Sequence, residues 1–88
     1  DSVYNALELA ITYNNLGELF SFRGDFKQAE NYLNSATYLM KTEYSMYHPY
    51  LWTIETNVIL LDYRRGNAYN AIKKSREFNQ YTLSLLYK

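Results

Sequence analysis

Apolar side chains recur every third or fourth residue along most of this 88-residue chain, in four blocks separated by short polar breaks. That period belongs to amphipathic helices, and no block shows the strict alternation of a strand. The first block, residues 3 to 23, carries Val3, Leu7, Ala10, Tyr13, Leu16, Leu19 or Phe20, and Phe22, with Ser2 placed to cap its start. The second, residues 26 to about 44, turns Phe26, Ala29, Tyr32 or Leu33, Ala36, Leu39 or Met40, and Tyr44 inward. The third runs from about Pro49 to Arg64 on Trp52, Val58, Ile59 and Leu61, with Leu51 and Ile54 as further candidates. The fourth runs from about Ala68 to Leu86 on Ala71, Ile72, Phe78, Tyr81 or Thr82, and Leu85.

The breaks carry turn chemistry. Gly24 suits the left-handed position that ends a helix, and Asp25 suits the cap of the next. Arg65-Gly66-Asn67 repeats that arrangement, and Ser45 to His48 forms a loop before Pro49, which fits the first turn of a helix because its missing N–H is not needed there. Gly17 stands inside the first helix, where it costs roughly 1 kcal/mol against alanine. A close approach by another backbone accounts for it, and Ala29 and Ala36 are correspondingly small where the first helix is expected to cross the second.

The pattern repeats. At a shift of forty-two residues Asn15 falls on Asn57, Leu16 on Val58, Leu19 on Leu61, Arg23 on Arg65, Gly24 on Gly66 and Ala29 on Ala71. Tyr13, Leu16, Gly17, Phe20, Gly24, Ala29, Leu33 and Ala36 have the spacing of a tetratricopeptide repeat, and the chain resembles that family over nearly its whole length. Its repeat is longer than the family's common 34 residues by roughly eight, about two helical turns. With Asn14-Asn15-Leu16-Gly17 and the His48-Pro49 junction, this length resembles the extended repeats of kinesin light chains and of bacterial arrays that precede caspase-like CHAT peptidase domains. The second copy departs from the motif: Glu55 and Asp62 replace a large residue and an aromatic, and Ser75 and Phe78 replace Leu33 and Ala36. Phe78 at a normally small position must open the helix pair or fill the gap left by Ser75.

The resemblance implies an all-α chain of two antiparallel helix-turn-helix hairpins, about residues 7–48 and 49–88, stacked as a segment of a right-handed α-solenoid. It implies a concave face lined by the first helix of each pair, which holds a peptide or partner protein as a scaffold or adaptor would. The transferred positions are Ile11, Asn14, Asn15, Glu18 and Phe22 in the first copy and Thr53, Thr56, Asn57, Leu60, Tyr63 and Arg64 in the second. Asn15 and Asn57 stand out, because an asparagine amide offers both a donor and an acceptor to a peptide backbone. The alternative is that they cap or brace neighbouring helices. A family variant that clamps a C-terminal carboxylate uses lysines on this face. This chain has none there, so that clamp is not expected.

Composition narrows the chemistry. Nine basic and nine acidic residues cancel, which gives no electrostatic case for nucleic acid or an anionic membrane. No cysteine is present, so disulfides, thiolate metal sites and cysteine nucleophiles are excluded together, in keeping with a reducing, cytoplasmic setting. His48 is a lone histidine and reads as part of the helix start. Neither Glu18 with Glu55 nor Asp62 with Glu55 is placed at a reacting bond, and surface solvation is their expected state. Lys73, Lys74 and Arg76 read as a solvated outer face, and the tyrosines at 32, 38, 44, 47 and 50 mainly as packing between helices. No catalytic residue, metal or cofactor is expected. The partners expected are a protein or peptide and further repeats in cis, with the chain a segment of a longer array. The alternative function is a regulatory array of a larger enzyme of the CHAT type, or of a peptide-sensing transcription regulator.

Overall fold

The computed structural model describes residues 2–45 and 48–86, with side chains from residue 5 to 84 apart from the gap. Four helices follow one another: α1 (Ser2–Arg23), α2 (Phe26–Glu43), α3 (Pro49–Arg64) and α4 (Ala68–Leu86). They pack as two hairpins, α1 with α2 and α3 with α4, and α3 rests on both helices of the first hairpin. Among the described residues the backbone of α4 approaches α3 and no other helix. Helix α1 already includes Ser2, which the pattern made its cap; that side chain, with Val3, Leu85, Met46 and Tyr47, lies outside the described set.

The two turns are built alike, bond for bond. Gly24 and Gly66 hold φ of 82° and 83°, the left-handed region open to glycine. The Asp25 N–H donates to Phe20 O at 3.0 Å and the Asn67 N–H to Asp62 O at 2.8 Å, forty-two residues on. The cap side chains match too: Asp25 Oδ1 accepts from Gln28 N, and Asn67 Oδ1 from Asn70 N, both at 3.3 Å. At the junction between hairpins His48 Nδ1 accepts from Tyr50 N at 3.1 Å, its ring lies against Tyr44, and Pro49 takes the first turn of α3. His48 is thus a helix cap.

Gly17 marks the closest approach. A Cβ there would stand 2.6 Å from Leu33 Cγ and 3.3 Å from Ala29 O. Ala10, Ala29, Leu33, Ala36 and Met40 form the core of the first hairpin, and Leu51, Ile54 and Leu61 of α3 complete it. The face α1 buries is therefore Ala6, Ala10, Asn14, Gly17 and Ser21, a line of small and polar residues. Of the alternatives Leu19 and Phe20, Phe20 packs on the core and Leu19 is exposed, and Phe22, read both as part of the apolar period and as a groove residue, is exposed. Close helix approach selects small side chains at the crossing, and the larger residues beside that line flank it. In α3 the deepest residues are Leu51, Ile54, Asn57, Leu61 and Asp62, with Trp52, Val58 and Ile59 only half-buried. In α4 Ala71 is buried and Ile72 faces out.

The second hairpin is the looser one. Ile59 stands at the register of Gly17, and Ser75 and Phe78 at those of Leu33 and Ala36. A cleft of about 330 Å³ opens beside Leu51, Trp52, Glu55, Val58, Lys74 and Phe78.

Candidate functional site

The eleven candidate binding residues sort into two sets. Asn14 and Asn57 are buried, and Ile11, Asn15, Glu18, Phe22, Thr53, Thr56, Leu60, Tyr63 and Arg64 are partly or fully exposed. Asn57 Nδ2 donates to Asn14 Oδ1 at 3.0 Å, and Asn14 Nδ2 donates to the Tyr50 hydroxyl at 3.1 Å. This relay ties α1 to the start and the middle of α3. Burial raises the Tyr50 pKa above 10.0; the Asn14 bond works against that rise and the charge of Glu18 adds to it. A ladder running through Asn15 and Asn57 does not form, because the Asn57 amide is turned inward to brace the helices while Asn15 faces solvent. Helix α3 docks on α1 through this very position, and burial then demands that its amide be satisfied.

Four of the others lie toward the far end of the same two helices, in two pairs. The Arg64 guanidinium lies 3.9 Å above the Phe22 ring, and its Nη1 donates to Ser21 Oγ at 2.9 Å. Phe22 and Tyr63 are each about two-thirds exposed, at 67% and 68%. Leu60 and Tyr63 border a shallow apolar hollow of about 460 Å³ shared with Ile59, Ala71 and Ile72. Glu18 is half-exposed one helical turn before Phe22. Exposed or half-exposed side chains thus stand on both helices, Asn15, Glu18 and Phe22 on α1 and Leu60, Tyr63 and Arg64 on α3, joined where Arg64 covers Phe22.

Asp62 departs from its expected solvated state. It is fully buried, with Lys74 Nζ 2.6 Å from Oδ2 and Arg65 Nε donating to Oδ1 at 3.0 Å. Arg65 also reaches Glu30 Oε2 at 2.9 Å. Burial by itself raises the pKa of Asp62, but the hydrogen bonds and charges of Lys74 and Arg65 outweigh it and hold the carboxyl below 3.8. The same contacts, with the Glu30 bond foremost, raise the pKa of Arg65. Such a carboxylate is a locked structural anion, poorly suited to take up or release protons near neutrality. Lys74 correspondingly leaves the basic patch, where Lys73 and Arg76 stay exposed. Position 62 is the register of Phe20 and position 74 that of Tyr32, and those two rings stack at 5.5 Å in the first hairpin. An ion pair has taken the place of an aromatic pair between the same two helix positions. That equivalence was present in the sequence, at the same shift as the paired Arg-Gly turns.

Trp52, which the pattern placed on the apolar face of α3, lines the cleft of the second hairpin with its Nε1–H buried and without an acceptor. Among the described residues no group of three His, Cys, Asp or Glu side chains is arranged to hold a metal ion, and no helix is long and apolar enough to cross a membrane. In comparisons with protein-family models, curated proteins and solved structures, none matches this chain.

Proposed function

We propose that the two hairpins are tetratricopeptide-like repeats of an extended, forty-two-residue kind, stacked as in a right-handed solenoid, and that the chain binds an extended peptide or a partner helix along α1 and α3. The observation that carries the reading is the exposed strip of Asn15, Glu18, Phe22, Leu60, Tyr63 and Arg64 on two adjacent helices, with two aromatic rings about two-thirds open to solvent. Exposed apolar surface rimmed by polar groups marks interaction sites, and aromatic residues and arginine are enriched at them. The matching turns support the repeat. Asn14 and Asn57 serve from behind, by fixing the distance between the helices that form the strip. The strip offers one cation, Arg64, already engaged with Phe22 and Ser21, so recognition there rests on apolar contact with a few polar anchors.

The test is selection of a random peptide library on the chain, followed by calorimetry of the enriched peptides. Binding is expected with Kd in the micromolar range, about −8 kcal/mol, and Phe22→Ala with Leu60→Ala is expected to weaken it at least about tenfold. No enrichment, or peptides that bind the folded double variant equally well, would reject the groove.

A further inference from the structure

The repeat register makes the two ends of the molecule complementary to each other. Helix α3 buries Leu51, Ile54, Asn57 and Leu61 against the first hairpin. The residues forty-two positions earlier, Leu9, Thr12, Asn15 and Leu19, form the same face of α1, and all four are exposed. The surface that receives α3 has its counterpart as well. On the first hairpin Arg64 of α3 and the C-cap Arg65 sit on Ser21 and Glu30; the matching positions of the second hairpin are Tyr63 and Ile72, which are 68% and 54% exposed. The polar seats of the internal junction have become apolar ones around the hollow beside Leu60.

We infer that this chain associates head to tail with a second copy of itself, α1 of one copy docking on the second hairpin of the next as α3 docks on the first. The argument is continuity with the interface already built inside the chain; the contact uses Asn15, Phe22, Tyr63 and Arg64, so a second copy and the proposed peptide compete for them. Three contacts follow from the register. Asn15 takes the role of Asn57 and meets Thr56, which stands where Asn14 does and whose hydroxyl, donating to Trp52 O, is free to accept. Leu19 takes the role of Leu61 and enters the apolar hollow. Phe22 and Arg64 are themselves register equivalents, so an incoming Phe22 meets Tyr63 and the outer face of the Arg64 guanidinium, whose inner face already covers the Phe22 of its own copy. A planar guanidinium stacks on aromatic rings on both faces. The interface is heterologous, so growth continues past the dimer.

Sedimentation equilibrium of the 10.5 kDa chain from about 1 µM to about 1 mM tests this. The weight-average mass is expected to rise with concentration beyond that of a dimer. Leu19→Lys spoils the head and Ile72→Lys the tail, each at an exposed site that circular dichroism is expected to show still folded. Each variant alone is expected to stay monomeric. Mixed in equal amounts they retain one good head and one good tail, and a one-to-one dimer that grows no further is expected. A wild type that stays monomeric at about 1 mM, single variants that associate like the wild type, or a mixture that remains monomeric would each overturn the inference.

Discussion

The register match between Phe20–Tyr32 and Asp62–Lys74 predicts that one pair can replace the other. In Asp62→Ala the buried carboxylate is removed and Lys74 and Arg65 lose their shared partner. Breaking a buried ion pair costs about 3–5 kcal/mol when the surviving charge stays buried. Here the surviving side chains are 37% and 29% exposed and can turn to water, and Arg65 retains Glu30, so screening reduces the loss to about 2 kcal/mol. For a domain of this size that is about 8–16 °C in melting temperature. Asp62→Phe with Lys74→Tyr instead rebuilds the stack of the first hairpin, in a hairpin loose enough to admit two rings. Replacing buried ion pairs with well-packed apolar groups is often neutral or stabilising, so the double variant should fall within about 1 kcal/mol of wild type, or above it. Urea unfolding at pH 7 measures both. The pH dependence gives a second reading. The folded pKa of Asp62 lies below its ordinary value of 3.8, so the unfolded chain takes up the proton first as acid is added. The contribution of Asp62 is therefore whole above about pH 4 and is lost as pH falls below it. The double variant should lose less stability between pH 5 and pH 3 than wild type does. A double variant as unstable as Asp62→Ala, or an unchanged acid loss, would refute the equivalence of the two positions.

Other substitutions probe the remaining contacts. Gly17→Ala gains about 1 kcal/mol of helix propensity but drives a methyl into Leu33, and overpacking of about 1–3 kcal/mol should leave it net destabilised in thermal melts. Adding Leu33→Ala should abolish that penalty, measured as coupling in a double-mutant cycle. Asn57→Ala strands the Asn14 carbonyl oxygen, and a loss of about 1–3 kcal/mol is expected by urea unfolding. Tyr50→Phe removes the acceptor of Asn14 at a cost of about 1 kcal/mol at pH 7. Because the Tyr50 pKa is raised above 10.0 in the folded chain, the unfolded chain loses its proton first, and wild-type stability should fall as pH climbs past 10 while that slope is reduced in Tyr50→Phe.

The elements and turns were legible in the sequence because their causes are local. Glycine at a left-handed position, a carboxylate or amide three residues before the N–H it caps, and proline in a first turn each declare themselves within a few residues. Gly17 was legible for the same reason, since its only explanation inside a helix was a close neighbour. The buried face of α1 was legible in part: Ala10 is buried and Leu7, Tyr13 and Phe20 pack on the core as the period implied, but Ala6, Asn14 and Ser21 were not marked, because a close neighbouring helix favours small side chains over Leu19 and Phe22. Asn57 takes the bracing alternative, and Asp62 is buried where solvation was expected, for a related reason: a polar residue in a helix reads as exposed until its partners are known. Those partners, Asn14 and Lys74, come from another helix. The candidate residues stay exposed where they lie off the junction between hairpins and are buried where α3 docks.

The most direct test of the binding account is amide chemical-shift mapping of a selected peptide on the isotopically labelled chain. The account predicts that the largest changes fall along Asn15, Glu18 and Phe22 of α1 and Leu60 and Arg64 of α3, with α2 and the outer face of α4 unmoved. Changes centred instead on Tyr38 and Lys73, or confined to the cleft beside Trp52, would contradict it.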